Sequence, residues 1–127
     1  MNKEKNIESI LSETSWWQVN KLFAREYGLD AAVLVVDLDT KQNFFKHKNK
    51  LTLDGFFFND KKEIEFDTSI SPYRQDIAIK KLVSLGIIKT EIKKGIPSRR
   101  YYKVIKSKIN EIVFNLYEKS ETSSESQ

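Results

Sequence analysis

The feature that most constrains the fold is a helix, predicted between residues 71 and 85, that runs directly into a β-hairpin. Ser71 is a typical N-cap, and Pro72 stands at the first helical position, where its missing N–H has no partner to lose. Gly86 ends the segment and allows the sharp turn from helix to strand. Between them an apolar stripe recurs at helical spacing; its residues are Ala78, Ile79, Leu82 and Leu85.

The hairpin follows at once. Residues 87–93 alternate with charged side chains, as a half-buried strand does. A turn with one glycine and one proline spans residues 95–98, and residues 100–105 form the returning strand. Helix and hairpin together therefore predict a small β-ribbon attached to a mainly helical domain.

Shorter elements precede this unit. Asp30 is a candidate N-cap, and Leu29 and Leu34 have the spacing of a hydrophobic staple. Asp60 and Glu63 have the spacing of a capping box. The predicted order is a helix over 18–27, a helix over 30–45, a strand over 56–58 with Phe57 pointing outward, and a short helix over 60–67.

The order of these elements resembles the winged helix-turn-helix. The run Ala-Ile-Lys-Lys-Leu-Val-Ser-Leu-Gly-Ile-Ile at 78–88 is similar to the one that ends the recognition helix and begins the wing in that family. The resemblance is nearest to small phage and plasmid replication or regulatory proteins, with Gly95-Ile96-Pro97 as the wing turn and paired tyrosines at 101–102. It implies a recognition helix over 71–85 and a basic wing over 87–105. Thr68-Ser69 departs from the apolar-Gly pattern of the bend.

Charge is distributed unevenly along the chain. The net charge is only +4, but Lys80 to Lys108 holds ten basic residues and one acid. The twelve basic and seventeen acidic residues elsewhere leave the remainder at −5. Such asymmetry is typical of a surface that faces a polyanion, although an ordinary solvated face has the same composition.

The family resemblance and this charge predict binding to double-stranded DNA without catalysis. A recognition helix presents its first turns to base edges in the major groove, and a wing meets the backbone. The predicted contacts are Ser71, Tyr73, Arg74, Gln75, Ile77, Lys80, Lys81, Lys93, Lys94, Arg99 and Arg100. The role implied is transcription regulation or replication initiation, and the alternative is a winged-helix module that binds an acidic protein.

Other chemistry has little support in the sequence. There are no cysteines and one histidine, His47, which lies in a lysine-rich loop. The four glycines are isolated, so none forms a phosphate-binding loop. We therefore predict no enzyme activity, no metal and no cofactor.

The remaining expectations concern organisation. Residues 1–15 are predicted to be an N-terminal segment, 16–106 the domain, 107–119 an amphipathic helix and 120–127 a disordered tail. The apolar stripe of the C-terminal helix predicts a homodimer, with packing on its own chain as the alternative. No apolar run is long enough to cross a membrane, which predicts a cytoplasmic protein of a bacterium, or of the host cell if the chain comes from a phage.

Overall fold

The computed structural model describes residues 17–95 and 97–125, with side chains up to residue 122. This part of the chain is mainly helical with one small sheet, as the sequence predicted. Its elements are α1 (Lys21–Tyr27), α2 (Leu29–His47), β1 (Phe57–Phe58), α3 (Lys61–Thr68), α4 (Pro72–Ser84), β2 (Ile88–Lys93), β3 (Arg99–Val104) and α5 (Lys106–Glu125). The predicted N-terminal segment, 1–15, lies outside the described residues.

The junction of α1 and α2 corrects one predicted cap. Gly28 has φ of 97°, and its carbonyl accepts the N–H of Ala32 at 3.2 Å, so α2 begins at Leu29. Asp30 therefore lies in the first turn and is not the N-cap. Leu29 is 65% exposed, so the predicted hydrophobic staple does not form.

The bend between α3 and α4 forms without glycine. Ser69 takes the left-handed conformation at φ 63°, and its N–H donates to the Glu65 carbonyl. The Thr68 hydroxyl donates to the Ile64 carbonyl at 2.6 Å and accepts the Ile70 N–H at 3.1 Å. Thr68-Ser69 thus supplies the hydrogen bonds and the left-handed residue that this turn needs.

The N-cap residues of α3 and α4 are as predicted, Asp60 and Ser71. The Asp60 carboxylate accepts the Glu63 N–H at 2.8 Å, and the Ser71 hydroxyl accepts the Arg74 N–H at 3.3 Å. Both helices of the pair therefore begin at the predicted capping residues.

The sheet is antiparallel with strand order β1-β3-β2. Phe57 pairs with Tyr102, and Ile88 pairs with Val104. Phe57 is 1% exposed and stacks near Phe45, so the prediction that it points outward is wrong. Because side chains alternate across a strand, burial of Phe57 leaves Phe58 on the opposite face.

One core joins the helices to the inner face of the sheet. Its most buried members are Leu34, Leu38, Ile64, Leu82, Ile87, Ile88, Phe57 and Tyr102. The C-terminal helix α5 lies against α1, and Ile109, Ile112 and Val113 pack on the core.

Helix α5 is longer than the helix predicted over 107–119. Helix α5 continues to Glu125, past the expected end at residue 119. Each added residue of a formed helix gains a backbone hydrogen bond, and the Thr122 hydroxyl also donates to the Glu118 carbonyl at 2.9 Å. Polar residues after 119 are therefore compatible with an exposed helical turn.

Candidate nucleic-acid interface

Helix α4 turns one row of side chains away from the core. Gln75, Ala78, Ile79 and Leu82 are its buried residues. The residues on the opposite side of the helix are exposed, and they follow each other at spacings of four, three and four positions. We call these residues the outward stripe: Tyr73, Ile77, Lys80 and Ser84. Tyr73 is 75% exposed and Ile77 is 51% exposed.

Two predicted contacts on α4 are engaged by the neighbouring helices. The Arg74 guanidinium pairs with the Asp30 carboxylate through two hydrogen bonds, one of them Nε to Oδ2 at 2.8 Å. This hydrogen bond and the accompanying charge lower the pKa of Asp30 and raise that of Arg74. The Lys81 ammonium donates to the Tyr27 carbonyl at 3.0 Å. Both cations remain exposed, but they hold α4 against the end of α1 and the start of α2.

Gln75 is not available to a base, which corrects its assignment as a contact. Its side chain is 1% exposed. The amide nitrogen donates to the Lys61 carbonyl at 3.0 Å and to the Ile70 carbonyl at 2.8 Å. Gln75 therefore links the first residue of α3 to the bend, which fixes how the two helices sit. Its place three residues before Ala78 and four before Ile79 is the signal that indicates burial.

A cluster of charges joins α3, α4 and the hairpin of β2 and β3. The Asp76 carboxylate lies 2.8 Å from the Lys61 ammonium and 3.7 Å from the Arg100 guanidinium. The hydrogen bond from Lys61 and the charges of both cations lower the pKa of Asp76. Arg100 is half-buried, on the same side of β3 as buried Tyr102. Both neighbours partly neutralise this acid, which reduces its repulsion of a nearby phosphate.

The predicted basic residues of the wing do not share one face. Arg100 lies on the inner side of the hairpin, near α4. Lys93 and Arg99 pair in register on the other side. Lys94 follows β2 and is exposed in the turn. A ligand on the Asp76 side of α4 therefore meets Arg100, whereas Lys93 and Arg99 belong to a different surface.

That second surface carries cations over aromatic rings. The Lys93 ammonium lies 4.5 Å from the centre of the Tyr101 ring. The Arg99 guanidinium lies 5.1 Å from the Phe58 ring. Phe58 and Tyr101 were not among the contacts predicted from the sequence. The alternation of residues 99, 101 and 103 is the signal that places them on one face.

Comparisons with protein-family models, with curated proteins and with solved structures find no match to this chain. Within residues 17–95 and 97–125, no helix combines the length and the hydropathy needed to cross a membrane. In the same residues, no group of three or more acidic or histidine side chains is placed to hold a metal ion.

Proposed function

We propose that the chain is a winged helix-turn-helix protein that binds double-stranded DNA through the outward stripe of α4. The observation that carries the proposal is that this exposed helix face lies beside a basic hairpin, after a capped two-helix bend. An α-helix fits the major groove of B-DNA, and a neighbouring ribbon reaches the backbone. The sheet order β1-β3-β2 is compatible with this arrangement.

The stripe offers different chemistry at each position. Ile77 can make apolar contact with a thymine methyl, and the Tyr73 hydroxyl can donate to a phosphate or a base edge. Lys80 supplies a cation for the flanking backbone. Arg74 reads a guanine only by exchanging the Asp30 carboxylate for base acceptors, so we assign specificity first to Tyr73 and Ile77.

The proposal also extends to the biological role of DNA binding. Transcription regulation and replication initiation in a phage or plasmid both begin with duplex recognition. Selection of bound sequences from a random duplex pool tests the shared step, and the spacing of any repeated half-site reports whether a dimer binds.

Titration of the selected duplex and of a scrambled one provides the quantitative test. We expect Ile77→Ser to weaken binding to the selected site by about 5- to 150-fold, the equivalent of roughly 1–3 kcal/mol, and to affect the scrambled site less. Lys80→Gln should weaken both equally and reduce the slope of log K against log salt by about 0.9. Lys119→Gln, an exposed lysine on α5, is the matched control. Equal loss at both sites with Ile77→Ser would contradict base reading by the stripe.

A second candidate, a module that binds an acidic protein, is favoured by one observation. Tyr73 and Ile77 expose apolar surface on α4, and Phe66 on α3 is 89% exposed. Exposed aromatic and aliphatic residues near cations are typical of protein interfaces. Phe66 provides the discriminating variant. Phe66→Ser should leave duplex affinity unchanged if DNA is the ligand, whereas a protein partner that covers both helices would be lost.

A further inference from the structure

The face of the sheet that points away from the core is strongly basic. We call it the outer face and define it by strand alternation from buried Phe57, Tyr102 and Val104. It carries four cations and one acid, with two partly exposed aromatic rings between them. Its residues are Phe58, Lys89, Glu91, Lys93, Arg99, Tyr101 and Lys103.

The register of the strands places like charges opposite each other. Lys89 lies directly across from Lys103, and Lys93 directly across from Arg99. Like charges at directly opposed positions of an antiparallel pair are destabilising. Glu91, opposite Tyr101, is the acid between the two pairs. Two repulsive pairs on one small face indicate a surface suited to a polyanion that neutralises them.

The aromatic rings lie between the charged pairs. Phe58 and Tyr101 are in register, with ring centroids 5.8 Å apart. The two like-charge pairs are four residues apart along each strand, which is about 13 Å at roughly 3.3 Å per residue. Across β2 and β3 the outer face therefore carries a cation pair, then Glu91 opposite Tyr101, then a second cation pair, and Phe58 of β1 lies beside Tyr101.

We propose that the outer face binds single-stranded nucleic acid. Non-specific binders of single strands combine cations along the backbone with aromatic rings on which bases stack. A duplex keeps its bases stacked on each other, so it offers nothing to Phe58 and Tyr101. On binding, the Lys93 and Arg99 cations leave the rings for phosphates, and bases take their place.

This inference does not depend on duplex recognition by α4. The outward stripe and the outer face share no residue, so variants in one leave the other intact. Duplex binding can therefore fail while single-strand binding holds, and the reverse is equally measurable.

The test is fluorescence anisotropy of the full chain with a labelled 15-nucleotide oligo-dT. We expect Tyr101→Leu to weaken this binding by about 5- to 150-fold, as for loss of one stacked base, and Tyr101→Phe to retain it. Affinity for a 15-base-pair duplex should stay unchanged in both. Tyr117→Leu on α5 is the matched control, because Tyr117 is 52% exposed. An oligo-U arm tells whether RNA binds as well as DNA.

A second variant keeps the inference testable if Tyr101→Leu fails to fold. Lys89→Thr removes one like-charge pair, so its Tm should rise while the salt slope for oligo-dT falls by about 0.7. Lack of binding to both oligomers, equal loss on the duplex with Tyr101→Leu, or equally tight binding of inorganic polyphosphate would overturn the proposal. An unchanged salt slope in Lys89→Thr would do the same.

Discussion

Replacing Gln75 by alanine separates a structural role from a role in reading DNA. The Gln75 amide nitrogen donates to two backbone carbonyls, those of Lys61 and Ile70, and the side chain is 1% exposed. Its amide oxygen is buried without a hydrogen-bond partner among the described residues. The substitution therefore removes two hydrogen bonds, two buried methylenes and one unpaired acceptor.

The expected magnitude follows from these parts. Two neutral hydrogen bonds contribute about 1–3 kcal/mol in total. Two buried methylenes contribute roughly 1.6 kcal/mol. Removing the unpaired oxygen also removes the cost of burying it without a partner, which offsets the loss of stability by about 1 kcal/mol or more. We expect the free energy of unfolding to fall by about 2–4 kcal/mol, and Tm to fall by roughly 8–16 °C.

Urea unfolding followed by circular dichroism measures the effect. Gln18→Ala, at an exposed glutamine, is the control and should change stability by less than about 0.5 kcal/mol. Gln75→Ala should bind the selected and scrambled duplexes with an unchanged ratio of affinities when enough protein is folded. Normal stability together with an altered ratio of the two affinities would show that Gln75 reads a base. That result would refute the inference that the buried Gln75 side chain links α3 to the bend.

Three further predictions concern other contacts. The pKa of Asp30 lies below 3.8 because of Arg74, so the ion pair's contribution to stability is present above pH 3.8 and is lost as pH falls through the folded pKa. Carbon-detected NMR should show a higher Asp30 midpoint in Arg74→Ala, with little change in stability because the pair is exposed; a midpoint that does not move would exclude this pairing in solution. Ser69→Gly should raise the free energy of unfolding by about 0.5–1 kcal/mol, since glycine adopts φ near 63° without steric cost, and a decrease in urea midpoint would contradict the left-handed turn. Phe114 and Tyr117 on α5 are 60% and 52% exposed, so a dimer through α5 should appear in light scattering and be lost in Phe114→Ser; a monomer mass for the unaltered chain removes the idea.

The sequence predicts the elements whose signals are local. The caps at Asp60 and Ser71, the stripe at Ala78, Ile79 and Leu82, and the hairpin all follow from side-chain chemistry within a few residues. The start of α2 does not follow from local signals. The Gly28 carbonyl accepts the first helical hydrogen bond, and the Asp30 side chain pairs with Arg74 on α4, which is distant in sequence.

The candidate site was less predictable than the fold. Exposure and charge indicated Arg74 as a free contact, but its partner Asp30 comes from a part of the chain more than forty residues away. The assignment of Phe57 to the outside failed because a three-residue aromatic strand has no second signal to fix which face is buried. The register between β2 and β3, which divides the wing cations between two surfaces, depends on the turn that joins them.

The central claim is that duplex DNA lies against the outward stripe of α4. Titration of the ¹⁵N-labelled chain with the selected duplex tests it residue by residue. We predict that the largest backbone shift changes occur at Tyr73, Ile77, Lys80 and Ser84, with smaller ones near Arg100 and almost none along α5. Saturable duplex binding that leaves the α4 resonances unmoved would contradict the claim.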